Sequence, residues 1–331
     1  MRSSIRQGTL RLAILALVLS ATALLSQTAE EPKSSIIAPL ASQSLLLDVA
    51  RTDGIFVAVG ERGHVLTSVD AGASWNQVAV PTRAMLTGVF FHDRNLGWAV
   101  GHDAVILRTT NGGGSWQRVH WAPEDETPFL DVWFADARNG FAIGAYGRIS
   151  VTSDGGDSWN EQQVSDEDDF HLNQIARAAN GRLYIAAESG QLYRSDDGGE
   201  NWRGLDTSYQ GSLFGVLPLE GDSVLLFGLR GHLLRSDDGG ESWTEIVTGT
   251  TAMLNSGIRL QDGTIVIAGL GGTILVSRDG GRSFELRQQS SRAGIQSLVD
   301  AGNGQLLLAG EFGVKRLSLA EVLSGTAGVQ P

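Results

Sequence analysis

Apolar residues in this chain come in short runs separated by glycine and polar clusters, and the runs recur in a fixed order. A first run begins at Leu46, Leu86, Phe129, Leu172, Leu213, Leu254 and Ile295, at steps of 40, 43, 43, 41, 41 and 41 residues. A second follows and usually ends in glycine: GIFVAVG to Gly60, LGWAVG to Gly101, GFAIG to Gly144, RLYIAA to Ala187, SVLLFG to Gly228, TIVIAG to Gly269 and QLLLAG to Gly310. Two residues later, usually after another glycine, comes a third: HVLTS, VILRTT, RISVTS, QLYRS, HLLRS, TILVS and VKRLSL. A turn and a fourth run such as SWNQVAV or SWTEIVT complete the unit. Runs this short, bounded by turn residues and without a helical period, predict strands. Four of them in about 42 residues, repeated, predict an all-β chain: a seven-bladed β-propeller of four-stranded antiparallel blades.

The turn between the third and fourth runs is the most regular stretch. SDDGGESW, ending at Trp243, has close copies ending at Trp75, Trp116, Trp159, Trp202 and Phe284, at steps of 41, 43, 43, 41 and 41 residues. Its aspartate, or asparagine in one copy (Asp70, Asn111, Asp154, Asp197, Asp238, Asp279), is placed to accept backbone N–H groups of its own turn, and the glycine two places on tolerates a positive φ. The aromatic is left to be buried, at a gross gain on the order of 4–6 kcal/mol. Because one active site has no use for six copies, the repeated carboxylates are read as structural rather than as catalytic groups or calcium ligands.

Six turns accompany seven first runs, so the last unit stops after its third strand, near Leu319. Residues 34–41, SSIIAPLA, precede the first unit with no strand of their own to pair with. The expectation is a ring closed by this N-terminal segment, which would complete the last blade, since an open solenoid would leave two bare sheet edges. Residues 30–319 then form the propeller, and residues 320–331 a weakly ordered tail.

Arg2, Arg6 and Arg11 precede an apolar run over residues 12–25, with Ala21, Ala23 and Ala29 as small residues for cleavage, which reads as a secretory signal peptide over residues 1–29. An uncleaved anchor is the rival reading, on a run short for a membrane span. With no cysteine there is no disulfide framework, no cysteine metal site and no lipidation site. Removing residues 1–29 leaves 22 basic against 37 acidic residues, about −15. That balance argues against nucleic acid and against adsorption to anionic lipid.

In a radial blade the repeated turns gather on one face. The second-to-third tips and the connections between blades gather on the other, and there the side chains vary. Candidate partner-binding residues on that face are Arg62, His64, Arg83, His102, Asp103, Trp121, Tyr146, Arg148, Glu188, Arg230, His232, Glu311 and Phe312. The acidic residues 166–169 read as a solvated loop, without EF-hand spacing. The six histidines show no metal-protease spacing, and neither a G-x-S-x-G elbow nor a phosphate loop is present. No metal, cofactor or catalytic residue is therefore assigned.

The turn sequence matches the Asp box, or BNR repeat, of sialidases and other propellers. The fuller unit, with GWAVG ending at Gly101, GAYGRI ending at Ile149 and TTNGGGSW ending at Trp116, resembles the photosystem II stability and assembly factor family over residues 34–319. Ala104 and Ala187 depart from the family's G-x-x-G element. The resemblance implies an exported, monomeric, non-enzymatic propeller in a periplasm or thylakoid lumen, in some cases membrane-associated, that binds a membrane-protein client during assembly. In phototrophs that client is the photosystem II reaction-centre precursor; in other bacteria the resemblance points to an exporter of the resistance-nodulation-division type. The acidic balance and the sparse arginines (Arg62, Arg83, Arg148, Arg230) incline the reading to a non-photosynthetic relative. Two alternatives stand beside it. One is a sialidase-like glycoside hydrolase, for which the R-I-P element is missing and seven units fit poorly. The other is a glycan or small-molecule-binding propeller using the central mouth.

Overall fold

The computed structural model describes residues 33–165 and 169–324. Residues 1–32, which hold the expected signal peptide, lie outside it, as do residues 166–168 of the acidic run and the end of the tail.

Among the described residues, seven antiparallel sheets follow one another in chain order, six with four strands and the last with three. The first strands (Leu46–Thr52, Leu86–Phe91, Phe129–Phe134, Leu172–Arg177, Leu213–Pro218, Leu254–Arg259 and Ile295–Gly302) stand innermost, each against the next, and the seventh returns to the first. The seven-bladed ring is therefore as expected. Second strands such as Gly97–Gly101, Gly140–Gly144 and Val224–Gly228 are buried along their whole length, which is why they read as unbroken apolar runs. Their final glycine is required by close approach: a Cβ on Gly101 would stand 2.0 Å from the Met85 carbonyl oxygen.

The core lies between blades, and the turn aromatics fasten each blade to the one before. Trp116 packs with Val57 and Val59 of blade 1, Trp159 with Trp98 and Ile106 of blade 2, and Trp243 with Leu192 of blade 4. Trp75 closes the ring by packing against Leu307 of blade 7. The aspartates bond within their own turns. Asp238 accepts the Ser242 N–H at 2.9 Å, the Ser242 hydroxyl at 2.6 Å and the Ser236 hydroxyl at 2.7 Å. These bonds hold its carboxyl well below the usual range.

Ring closure departs from expectation. Residues 33–38 form no strand and do not pair with blade 7; they bind the outer side of blade 1 instead. Ser35 N–H donates to the Val80 carbonyl at 2.8 Å, and Gln77 both accepts from Ala38 N–H at 2.7 Å and donates to the Ile36 carbonyl at 2.9 Å. Ile36 and Ile37 are exposed. The amide of Gln77 satisfies the segment's backbone one blade away from the place that strand count alone assigned.

The far end of the chain also differs. Leu319–Ser324 forms a short helix, α1, whose Val322 is fully buried between blades 6 and 7 among Val266, Ile274, Leu298 and Leu306. Blade 7 has no turn aromatic, and Val322 occupies the corresponding place against the preceding blade. Residues 325–331 lie outside the described residues.

Candidate functional site

The two faces of the ring are built differently. Each second-to-third tip bonds to the residue just before its own blade's first strand: Glu61 N–H to Leu45 carbonyl, His102 to Met85, Ala145 to Pro128, Glu188 to His171, Leu229 to Ser212 and Leu270 to Met253. Tips and inter-blade connections therefore share one face. The aspartate turns bond to the first-to-second turns on the other, as Gly112 N–H does to the Asn95 carbonyl and Gly239 N–H to that of Asp222. There they are pinned by the preceding blade, through Arg108 and Trp98 on the Gly155 carbonyl (3.1 and 3.0 Å) and Arg194 on that of Gly239 (2.9 Å). That face is spent on holding blades together.

On the tip face the backbone is strained at the residues that vary. Arg62, Asp103, Tyr146, Ser189 and Arg230 hold left-handed φ values of 56°, 57°, 56°, 55° and 57°, where Gly271 stands in blade 6. Each such residue costs about 1 kcal/mol relative to glycine, before the entropy glycine itself loses on folding. The left-handed turn lifts the side chain off the sheet into solvent. Arg62, His102, Asp103, Tyr146 and Arg230 are all exposed. Ala104, a departure in the G-x-x-G element, keeps a positive φ of 48° while fully buried.

The other candidates are held closer to the scaffold. His64 is buried against Gln77, 2.9 Å from its Nδ1, and burial lowers its pKa. Arg83 donates to the Ser34 carbonyl at 2.9 Å and stays exposed. Arg148 is largely buried, paired with Glu161 at 2.8 Å and Asp125 at 3.2 Å and lying over Phe129. Trp121 is half-buried beneath Arg118. Glu188 sits 3.4 Å from His171, whose ring meets Tyr146 edge-on. Glu311 accepts the Gly294 N–H at 2.7 Å, and Phe312 packs into the core between blades 6 and 7. Of the candidate arginines, Arg62, Arg83 and Arg230 remain exposed.

Arg230 borders a cleft of about 420 Å³ lined also by His232, Glu245, Val247, Thr248 and Thr250. His232 pairs with Glu245 at 3.0 Å and lies on Tyr209, ring centres 4.3 Å apart. Val247 is 87% exposed, the most of any large apolar side chain described. The cleft opens because the fourth strand of blade 5, Thr244–Glu245, ends after two residues. Sequence reading misses Glu245 and Val247, because it treats the SWTEIVT run as one continuous strand, and Tyr209, because that residue reaches the cleft from the connection between blades 4 and 5.

The central channel holds a second arrangement that the sequence does not disclose. Polar residues in the bulges of the first strands of blades 1, 3 and 4 reach into the next blade: Asp48 accepts Val89 N–H at 2.8 Å, Asp131 accepts Ile175 N–H at 3.0 Å and Gln174 accepts Val216 N–H at 2.8 Å. Enclosure by the ring raises both carboxyls, that of Asp131 to about 7 with the neighbouring charge of Asp48 adding to it. These bonds stitch the blades together. Among the described residues no group of three or more His, Cys, Asp or Glu stands close enough to hold a metal ion.

Comparison with known proteins places this geometry. The model of the family described as photosynthesis system II assembly factor YCF48 matches residues 26–126 and 121–309. A chloroplastic photosystem II stability/assembly factor HCF136 from Cyanidioschyzon merolae is 42% identical over 48 residues, a match spanning 14% of this chain and 11% of that protein. Among solved structures, YCF48 bound to D1 peptide superposes with a TM-score of 0.70 at 19% identity, over 87% of this chain and 96% of that one. YCF48 from Cyanidioschyzon merolae gives 0.68 at 18%, over 87% and 99%. The WD40 propeller domain of Doa1 gives 0.68 at 13%, over 86% and 94%, so likeness at this level of identity speaks for the fold alone. The family model, by contrast, spans nearly every blade, and on that ground the chain belongs to the photosynthesis system II assembly factor YCF48 family.

Proposed function

We propose that this chain is a non-catalytic assembly factor whose tip face docks an exported segment of a membrane-protein client. The observation that carries the reading is the row of non-glycine side chains in left-handed backbone at Arg62, Asp103, Tyr146, Ser189 and Arg230, all on one face. Strain kept at several equivalent positions, where glycine would be free of it, marks side chains that are there to touch something. A solved relative that carries a D1 peptide supports a polypeptide client. The arginines before the apolar N-terminal run support export, to a periplasm or thylakoid lumen. The net charge of −12 and the few exposed arginines of the tip face favour a client other than the photosystem, with an exporter as the client in a host that does not photosynthesise.

Photo-crosslinking tests this in intact cells. A crosslinker at Tyr146 or Arg230 is expected to capture one membrane protein, and Arg62→Ala with Arg230→Ala to reduce capture severalfold. The same probe at Asn201, on the aspartate-turn face, is the control; equal capture from both faces would remove the assignment.

A further inference from the structure

Among the described residues, blade 7 is the one sheet of the ring with three strands. Its third strand, Gly313–Ser318, pairs with the second along one edge, and among the described residues no strand pairs with the other. In blade 6 the same edge, residues 273–276, carries the fourth strand Glu285–Gln288. Alignment on the preceding pairs, Ala268 with Ile274 and Ala309 with Val314, makes residues 313–316 the equivalent positions. The walls of this position are already built. The Ser42 carbonyl oxygen stands where a Cβ on Gly313 would lie 1.9 Å away, just as that of Thr250 stands 2.2 Å from one on Gly231 in the finished blade 5. On the other side α1 inserts Val322 into the place of the turn aromatic.

What would fit is set by the complete blades and by charge. Their fourth strands are mostly exposed, Asn160–Gln163 along its whole length, so ladder hydrogen bonds rather than apolar burial hold them. The open edge carries Lys315 and Arg316 side by side, both exposed, in a chain with two lysines and a net charge of −12. Lys315 lies opposite Leu308, which packs toward blade 6, and Arg316 opposite Leu307, which packs toward blade 1. Each face of the sheet edge therefore presents one cation. Among the described residues neither meets a carboxylate; Lys315 Nζ lies 3.5 Å from Gln289 Oε1. At the end of the strand Glu321 accepts the Ser318 N–H at 3.3 Å, which confines an acidic ligand to the stretch around Lys315 and Arg316.

We propose that this edge takes an extended acidic segment of a partner polypeptide as a fourth antiparallel strand, adjacent carboxylates meeting Lys315 on one face and Arg316 on the other. Arg62, Tyr146 and Arg230 take no part, so the site is independent of the tip face.

The probe is the capped hexapeptide Thr-Val-Glu-Glu-Val-Thr, titrated onto the full chain and followed by affinity and by amide hydrogen exchange. Binding should slow exchange within residues 314–317. Lys315→Glu with Arg316→Glu should weaken it about tenfold or more, as should replacing the two glutamates of the peptide by lysine. Two versions N-methylated at alternate residues, one in each phase, separate a ladder from loose charge attraction: one should lose binding and the other keep it. Arg230→Ala should leave all of this unchanged. Four results overturn the proposal: equal affinity for both methylated peptides, exchange at residues 314–317 already slow in the free chain because its own N-terminal residues cover the edge, dimerisation of the chain through the same amides, or no binding, in which case the two cations only guard the edge.

Discussion

At the scale of single residues, the tip side chains oppose the fold that carries them. Tyr146→Gly relieves a φ of 56° in a side chain 61% exposed, so stability should rise or hold, by up to about 1 kcal/mol in urea denaturation, while client capture falls. A loss of stability would mean that the contact between Tyr146 and His171 holds the tip. Asp131 opposes the fold through its charge. With its carboxyl pushed up to about 7, the folded chain keeps a proton between about pH 4 and 7 that the unfolded chain has released. Stability from this group is complete below that window and lost above it, by at most about 1.4 kcal/mol per pH unit, and by less where channel water reaches the carboxylate. His64 and His120, whose pKa values burial lowers, act in the opposite sense below about pH 6.5. Comparison with Asp131→Asn cancels the histidines. The stability of the parent relative to this variant should fall between about pH 5 and pH 8; a constant gap would show that Asp131 ionises normally. Neither feature is legible in the sequence. Asp131 lies in an apolar strand where nothing distinguishes it from a solvent-facing polar residue, and a backbone dihedral at Tyr146 leaves no mark in a single chain unless glycine stands there.

At the scale of elements, the repeated turn could be read as one unit, because its interactions are local: Asp238 reaches Ser236 and Ser242 within its own loop. Its aromatic could be recognised as an anchor but not placed, since the wall it meets belongs to the blade before. The helix α1 was not legible. Its Leu319–Ser324 stretch is too short for a periodic signal, and its order comes from burying Val322 against a neighbouring blade. Truncation after Leu319 should therefore destabilise the ring by about 2–3 kcal/mol, close to the cost of removing a half-buried turn aromatic such as Trp243→Ala, in matched denaturant titrations. An effect under about 0.5 kcal/mol would make α1 an ornament of blade 7 rather than its clasp.

At the scale of the whole molecule, the seam between blades 7 and 1 decides whether the ring is closed. Asp48 holds it by accepting the Ser297 hydroxyl at 2.7 Å from blade 7, its own strand's Val49 N–H at 2.8 Å and Val89 N–H of blade 2 at 2.8 Å. Asp48→Ala would take the acceptor from the Val89 N–H and the Ser297 hydroxyl and leave Val49 N–H only its longer bond to Ser297 Oγ at 3.4 Å. It should cost about 2–4 kcal/mol and speed amide exchange in the first strands of blades 1, 2 and 7, whereas Asp53→Ala in an exposed turn should do neither. Strand content, blade number, the anchoring turn and the variable face could be read along the chain, because each follows from a local period repeated about every 42 residues. How the ends are fastened, that Arg148 is consumed by Glu161 and Asp125 while Arg230 stays exposed, and that carboxylates line the channel emerged only on folding. Those outcomes depend on contacts between units far apart along the chain, where a backbone edge or a charge is satisfied by whichever neighbour the closed ring brings within reach.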